Sequence, residues 1–162
     1  AALRYFNAAG YDTKQRVFGL ENNPQNLIPL VMETAIGKRE KIHIFGNDYS
    51  TKDGTGVRDY IHVSDLASAH LETINYIKRE KKNLIINLGS GSGHSVLDII
   101  NKVQEVSGIS IDYEFKERRR GDVDIVMASS QLAKDLIKWE TKFSDLNTII
   151  RSTWSVYNSS KT

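Results

Sequence analysis

The sequence contains no cysteine, only two prolines and no apolar run of membrane-spanning length. The lack of cysteine excludes disulfides and zinc–thiolate sites, and it fits a reducing compartment. Without a long apolar run or a signal-like start, there is no indication of a membrane partner. A formal net charge of +2 is too small to indicate a nucleic-acid partner. We therefore expect a cytoplasmic protein that binds neither membranes nor nucleic acids.

The remaining composition is that of a globular protein, with 40% hydrophobic and 26% charged residues over 162 positions. This length is sufficient for one core of ordinary size. The chain opens on Ala1-Ala2-Leu3-Arg4-Tyr5-Phe6, which lacks an initiator Met and has the pattern of a buried strand already under way. A domain rarely begins inside such a strand, so we expect the chain to be the C-terminal part of a longer protein.

Strand and helix patterns alternate along the chain, which predicts an α/β fold. The continuous apolar run Leu84–Leu88 is typical of a strand buried on both faces of a parallel sheet. The remaining predicted strands are 2–6, which ends in a turn at Asn7–Gly10, then 41–45 and 109–115. Helices are predicted at 26–36 with Asn26 as N-cap, from a capping Ser64 to about residue 82, at 95–108, at 130–137 and from 144 onward.

Arg58 follows two glycines in the run Gly54-Thr55-Gly56-Val57-Arg58. Glycines at these positions let the backbone turn with positive φ, so that a guanidinium is directed into a cleft. The planar, five-donor guanidinium is suited to a phosphate or carboxylate. Tyr60, Ile61 and Val63 then predict a short buried extended segment, which anchors the loop on its C-terminal side.

A glycine-rich run, Gly89-Ser90-Gly91-Ser92-Gly93-His94-Ser95, partly resembles a dinucleotide-binding fingerprint. The third glycine of that fingerprint is replaced by His94, and no clear acidic residue ends a following strand. We interpret the run as a strand-to-helix turn, with Ser95 and Asp98 at the helix start. The main cradle of a dinucleotide is therefore not expected here.

Three segments in order resemble UDP-glucose 4-epimerases, which are extended short-chain dehydrogenases/reductases. They are Arg4–Asn7, the stretch from Asn47-Asp48-Tyr49 through Lys52–Ala67, and Asn87–Gly91. The resemblance covers nearly the whole chain. It implies that residues 1–162 supply the C-terminal part of a doubly wound, Rossmann-type parallel sheet together with a small α/β substrate-binding lobe. The NAD-binding N-terminal domain is then expected outside this chain.

The resemblance also implies an activity, the NAD-dependent interconversion of UDP-glucose and UDP-galactose through a 4-keto intermediate. This activity belongs to galactose metabolism, and a homodimer is expected for such a protein. One alternative is another extended short-chain enzyme acting on a sugar nucleotide, such as a dehydratase or decarboxylase. The other is a non-catalytic nucleotide-binding module. The run Asp53–Tyr60 favours the epimerase.

Site residues carried over from the resemblance fall into several groups. Phe6 is implied to lie beside the nicotinamide. The diphosphate is assigned to Arg58 and Arg119, with Arg118 and Arg120 as competitors, and Asp122 is the expected ribose acceptor. Val126 is at a position whose size selects between plain and N-acetylated hexoses. The full substrate-binding set is Asn7, Asn26, Leu27, His43, Ile44, Phe45, Arg58, Arg119, Arg120, Gly121, Asp122 and Val126.

Some of these residues also have ordinary structural explanations. Asn7 can be a strand-end residue that bonds its own backbone, and Asn26 can serve as a helix cap alone. For His43, Ile44 and Phe45, the resemblance implies that backbone groups pair with the uracil edge. His43 therefore needs no acid–base role, and a lone strand histidine is more often structural.

No catalytic residue and no metal site is expected in this chain. The family chemistry needs a Tyr-x-x-x-Lys pair and a glycine-rich first turn. Tyr157-Asn158-Ser159-Ser160-Lys161 fits the pair by letter, but it lies in a polar C-terminal tail, and we interpret it as a chance match. The catalytic pair and the fingerprint are expected upstream, so this chain alone is expected to be inactive.

Overall fold

The structure is a computed structural model that describes residues 1–160. Short strands and longer helices alternate along these residues. In chain order the elements are β1 (Ala2–Arg4), β2 (Asn7–Ala9), α1 (Leu27–Ala35), β3 (Ile42–Phe45), β4 (Val57–His62), α2 (Val63–Glu80), β5 (Ile85–Asn87), β6 (Gly93–Ser95), α3 (Val96–Ser107), β7 (Tyr113–Lys116), β8 (Ile125–Val126), α4 (Gln131–Ile137) and α5 (Leu146–Ser159). The polar segment 11–25 contains neither helix nor strand.

Strand β4 is the centre of the largest sheet. Its C-terminal half pairs in parallel with β2, with Tyr60 opposite Asn7. Its N-terminal half lies between antiparallel β6 and parallel β8, so that Arg58 is opposite His94 on one side and Val126 on the other. Arg58 is therefore held in a strand that is paired on both edges.

Two hydrophobic cores lie on either side of β4. Because side chains alternate along a strand, neighbouring residues of β4 enter different cores. Tyr60 packs into the first core with α1, β3, α3 and α5, and Ile61 packs into the second core with α2, β5 and α4. The largest buried residues of the first core are Met32, Ile44, Ile99, Ile100, Ile149, Ile150 and Tyr157.

Two further strand pairs, β1–β5 and β3–β7, are also parallel. Parallel pairs with helices packed between and beside them confirm the predicted α/β class. The prediction that the Leu84–Leu88 strand is buried on both faces was wrong. Leu84, Ile86 and Leu88 are buried, but Ile85 on the opposite face is 61% exposed.

Strand boundaries differ from prediction in several places, among them β4, which begins at Val57 and so contains Arg58, where a loop was expected. The segment 2–6 forms a strand only at Ala2–Arg4, and Asn7–Ala9 is a second strand rather than a turn. Part of the glycine-rich run, Gly93–Ser95, is a strand rather than a turn. The segment 109–115 becomes a strand only from Tyr113. The two short strands β2 and β6 owe their extended form to pairing with β4, which no local pattern reveals.

Helix starts show which caps the sequence could identify. Ser95 and Asp98 form a complete capping box at α3, as predicted. Asn26 is the N-cap of α1, but its side chain makes no capping hydrogen bond. The prediction of Ser64 as the cap of α2 was wrong, since the His62 side chain accepts from the Ser64 backbone N–H and the helix begins at Val63. Asp145 caps α5, so this helix starts at Leu146.

Within residues 1–160, each helix is too short or too polar to cross a membrane.

Candidate functional site

A cavity of about 760 Å³ opens beside β2, the start of α1 and the loop that connects them. Four of the predicted site residues line it, namely Phe6, Asn7, Asn26 and Leu27. Phe6 is 54% exposed, so a flat ring can pack against it. The structure thus brings together residues assigned to the sugar and to the nicotinamide.

Two side-chain amides on the cavity wall keep groups free for a ligand. Asn7 Nδ2 donates to the carbonyl of Asp59 across the sheet at 2.8 Å, so it does not bond its own backbone. Asn26 does not use its side chain to cap α1. Neither structural explanation offered for these two residues therefore accounts for its side-chain amide.

Tyr60 is a wall residue that sequence reasoning missed. It is only 6% exposed, yet it lines the cavity. Burial raises the pKa of Tyr60 to about 12, although nearby Arg58 acts in the opposite direction. The phenol therefore stays neutral at pH 7 and can donate a hydrogen bond. In the sequence it had the pattern of an ordinary core residue of a strand.

Arg58 lies on the same face of β4 as Tyr60, two residues away. Its Nη1 donates to the carbonyls of Val57 at 2.8 Å and Val123 at 3.0 Å. No carboxylate of residues 1–160 forms an ion pair with it. The guanidinium is therefore positioned by backbone carbonyls and keeps its charge available for an anion.

The two glycines before Arg58 act differently from one another. Gly54 has φ +77° and lies against the backbone oxygen of Asn47, as the turn prediction requires. Gly56 does not have a positive φ, so the prediction was wrong for this residue. A Cβ at Gly56 would lie 3.3 Å from Arg58 Nη1, which indicates that glycine makes room for the guanidinium.

The three consecutive arginines have different environments. Arg118 Nη2 forms an ion pair with Asp124 Oδ1 at 2.6 Å, and its guanidinium lies 4.0 Å from the ring centroid of Tyr49. Arg119 stacks on the ring of Phe45 at 3.8 Å. Neither Arg119 nor Arg120 has a carboxylate partner in the part of the chain that the structure describes. The charge of Arg118 is thus already neutralised, and the charges of the other two are not.

Asp122 lies next to this group of arginines. The Tyr49 hydroxyl donates to Asp122 Oδ2 at 3.4 Å. The pKa of Tyr49 is raised by burial and by Asp122, while Arg118 and Arg58 act to lower it. These four charged or polar side chains are therefore near neighbours. Gly121, with φ +89°, makes the turn that places Asp122 there.

The outer edge of β3 has no strand partner among residues 1–160. Ile42 N–H and Gly46 N–H donate to carbonyls on the β7 side. Since successive backbone groups of a strand point to opposite edges, those of His43 and Phe45 point to the open edge. The His43 ring is exposed, 3.8 Å from Glu114 Oε2, and Ile44 is buried. The unpaired backbone here is that of His43 and Phe45.

Two further predictions concern a metal site and the Tyr-x-x-x-Lys match. Among the described residues there is no group of three or more side chains suited to holding a metal. Tyr157 is buried in the first core and packs edge-on against Tyr11, and burial raises its pKa to about 12. Lys161, the other member of the Tyr-x-x-x-Lys match, lies outside the described residues.

Comparisons with known proteins agree with this geometry. The family model of GDP-mannose 4,6 dehydratase matches residues 1–153. UDP-glucose 4-epimerase of Streptococcus mutans is 43% identical over 158 residues, which are 97% of this chain and 47% of that protein. The chain therefore spans about half the length of the curated relatives it matches.

Solved structures give the same result. UDP-glucose 4-epimerase of Stenotrophomonas maltophila, with bound NAD and formylated UDP-arabinopyranose, has a TM-score of 0.92 and 36% identity, covering 98% of this chain and 47% of that chain. The Brucella ovis enzyme in complex with NAD also has a TM-score of 0.92, with 38% identity, covering 96% of this chain and 48% of that one. The Rossmann-type α/β architecture predicted from the sequence is thus confirmed.

Proposed function

Because this chain belongs to the GDP-mannose 4,6-dehydratase family of extended short-chain dehydrogenases/reductases, we propose that it supplies the UDP-sugar-binding part of an NAD-dependent UDP-hexose 4-epimerase. The reaction interconverts UDP-glucose and UDP-galactose. Residues 1–162 form the substrate-binding portion. We further propose a homodimer that works in galactose metabolism in the cytoplasm, with neither membrane nor nucleic acid as partner.

The observation that supports this proposal most strongly is which arginines have a carboxylate partner. Arg58 and Arg119 have no carboxylate partner among residues 1–160, whereas Arg118 is paired with Asp124. A diphosphate bound between Arg58 and Arg119 gains up to about four charge-assisted hydrogen bonds, each worth roughly 1.5–3 kcal/mol. Arg120 lies next in sequence and contributes further positive charge to the same anion.

The nucleoside fits beside this anion site. The open edge of β3 offers the backbone N–H and C=O groups of His43 and Phe45 to the imide edge of uracil, with buried Ile44 fixing the strand. Asp122 has oxygens for the two vicinal hydroxyls of the ribose. Gly121 gives the turn that presents this carboxylate.

The hexose is assigned to the cavity. Asn7 and Asn26 offer amide groups there, and Leu27 adds an apolar wall. Val126 lies opposite Arg58 in the sheet and is assigned to limit the size of the sugar substituent. Phe6 offers an exposed ring to the nicotinamide. NAD, when bound, supplies the acceptor and donor of the hydride that the epimerisation requires.

Calorimetric titration of UDP-glucose and, separately, of GDP-mannose into the 162-residue chain tests this function. We expect saturable binding of UDP-glucose that is at least about tenfold tighter than that of GDP-mannose. GDP-mannose is the comparison ligand, since it carries the same diphosphate with a different base and a different hexose. A thermal melt in the same buffer verifies that the chain is folded.

Two outcomes contradict the proposal. Tighter binding of GDP-mannose assigns the chain to a different sugar-nucleotide enzyme of the family. Absence of binding by a chain that melts cooperatively shows that the arginines and the open strand edge are not a nucleotide site.

A further inference from the structure

His62 is the last residue of β4 and is completely buried. It lies where four parts of the fold meet. Its neighbours are the start of α2, the beginning of the loop 10–26, the segment before α5, and α5 itself. None of the functions assigned above uses this side chain.

The hydrogen bonds of the imidazole define its protonation state. Nδ1 accepts from the Ser64 backbone N–H at 3.0 Å, so it carries no proton. Nε2 lies 3.2 Å from Ser152 Oγ, whose own proton goes to the carbonyl of Ile149 at 3.0 Å. Nε2 is therefore the donor, and the neutral tautomer with hydrogen on Nε2 satisfies every partner. Protonation of Nδ1 places a second donor against the Ser64 N–H.

Ser152 connects His62 to the loop that lines the cavity. Its hydroxyl oxygen also accepts from the Tyr11 backbone N–H at 3.1 Å. The imidazole packs directly on Gly10, where a Cβ would lie 2.4 Å from the ring. Tyr11, Asp12 and Arg16 are cavity-lining residues of the loop that starts here. The contacts of His62 thus fix the point at which this loop leaves β2.

Charged groups around the imidazole come from three elements. Asp65 on α2, Asp145 at the start of α5 and Asp12 in the loop each favour the protonated form, as does a hydrogen bond with the Tyr11 backbone. Burial outweighs them, so that the pKa of His62 is lowered from its ordinary value. The remaining contacts, the Phe143 ring and Ser144, are uncharged. The imidazole is therefore neutral at pH 7.

We propose that His62 is a positioning residue, which anchors the cavity-lining loop through Ser152 in its neutral form and releases the loop when it is protonated. Ligand binding in the cavity then weakens in acid. The ligand used as a probe, UDP-glucose, rests on the function proposed above, but the anchoring itself does not.

Nitrogen-15 NMR and amide hydrogen exchange test the anchoring without a ligand. We expect the His62 ring to show a protonated Nε2 and an unprotonated Nδ1 at pH 7.5. The Tyr11 amide should be protected from exchange in the wild type. In Ser152→Ala, which keeps His62 but removes the hydroxyl between His62 and Tyr11, this protection, corrected for intrinsic exchange, should fall about tenfold. A proton on Nδ1, or unchanged Tyr11 protection in Ser152→Ala, overturns the proposal.

Titrations of UDP-glucose at pH 7.5 and 5.5 test the effect on binding. The diphosphate diester of this ligand does not itself titrate in that range. We expect the wild-type affinity to fall about fivefold and the affinity of His62→Gln to be the same at both pH values. His70→Gln is the matched control, since His70 is exposed on α2, and it should follow the wild type.

Equal pH dependence in wild type and His62→Gln overturns the link to binding. If the wild type does not bind UDP-glucose at either pH, the proposed function fails, and the NMR and exchange results still decide the anchoring. If His62→Gln does not fold, Ser152→Ala replaces it in the titrations, with the same expected loss of pH dependence.

Discussion

Asp59 Oδ1 accepts hydrogen bonds from both the backbone N–H and the hydroxyl of Ser90, at 2.9 and 2.6 Å. Its second oxygen, Oδ2, accepts from the backbone N–H groups of Gly91 and Ala128, each at 3.2 Å. Gly89 has no room for a Cβ, because one would lie 2.5 Å from Oδ2. This carboxylate ties β4, next to Arg58, to the glycine-rich turn and to the segment after β8.

Replacing Asp59 by Asn should destabilise the fold. The Asp59 side chain is only 2% exposed. In the Asn variant an NH₂ group replaces one carboxylate oxygen, so a donor then faces hydrogen-bond donors. We expect a loss of about 2–4 kcal/mol in the free energy of unfolding, measured by urea denaturation. Asp48→Asn is the control, since Asp48 is exposed, and its change should stay within about 0.5 kcal/mol. Equal stabilities of the two variants contradict the anchoring role.

Arg58→Ala and Arg119→Ala should each weaken UDP binding at least about tenfold, equivalent to about 1.4 kcal/mol. The reason is that each removes a guanidinium without a carboxylate partner among residues 1–160. Calorimetric dissociation constants give the comparison. Arg151→Ala, on the exposed side of α5, is the matched control and should bind UDP like the wild type. Unchanged affinity in both test variants removes the diphosphate assignment.

Arg118→Ala should weaken UDP binding less than about threefold. Its charge is already neutralised by Asp124, so the diphosphate gains little from it. The same calorimetric series provides the measurement. If Arg118→Ala loses more affinity than Arg119→Ala, the roles of the two arginines are reversed.

The raised pKa of Tyr60 predicts a loss of stability in alkali. Its folded pKa is about 12, above the unfolded value near 10, so the unfolded state releases the proton first. Stability from this group is complete below about pH 10 and is lost as pH rises toward 12. At pH 11 this group contributes a loss of about 1 kcal/mol relative to pH 9, so the alkaline loss of Tyr60→Phe should be smaller than that of the wild type by about that amount, while Tyr157 still contributes its own loss. Urea denaturation at both pH values measures the difference.

Tyr113→Phe is the control for that experiment, because Tyr113 is 45% exposed and its variant should lose stability as the wild type does. An alkaline loss in Tyr60→Phe that equals the wild-type loss contradicts the assignment to Tyr60.

Local sequence signals identified those features whose partners are close in the chain. The capping box of Ser95 and Asp98 spans one helical turn, so its residue types alone specify it. The turn at Gly54 was predicted for the same reason, since a positive φ favours glycine. The general order of strands and helices follows equally from short-range periodicity.

Features made by distant partners were not predictable in this way. His62 caps α2 in place of Ser64 because Ser152, 90 residues away, and the space beside Gly10 hold its imidazole. The three arginines are equivalent in sequence, and only the position of Asp124 distinguishes Arg118. The open edge of β3 became visible only with its pairing to β7.

The most direct test of the central claim is a crystal structure of this chain with UDP. The account predicts the diphosphate between the guanidinium groups of Arg58 and Arg119, with the uracil edge on the backbone of His43 and Phe45 and the ribose hydroxyls on Asp122. UDP bound elsewhere, or at this place with Arg118 on the diphosphate and Arg119 still stacked on Phe45, would contradict it.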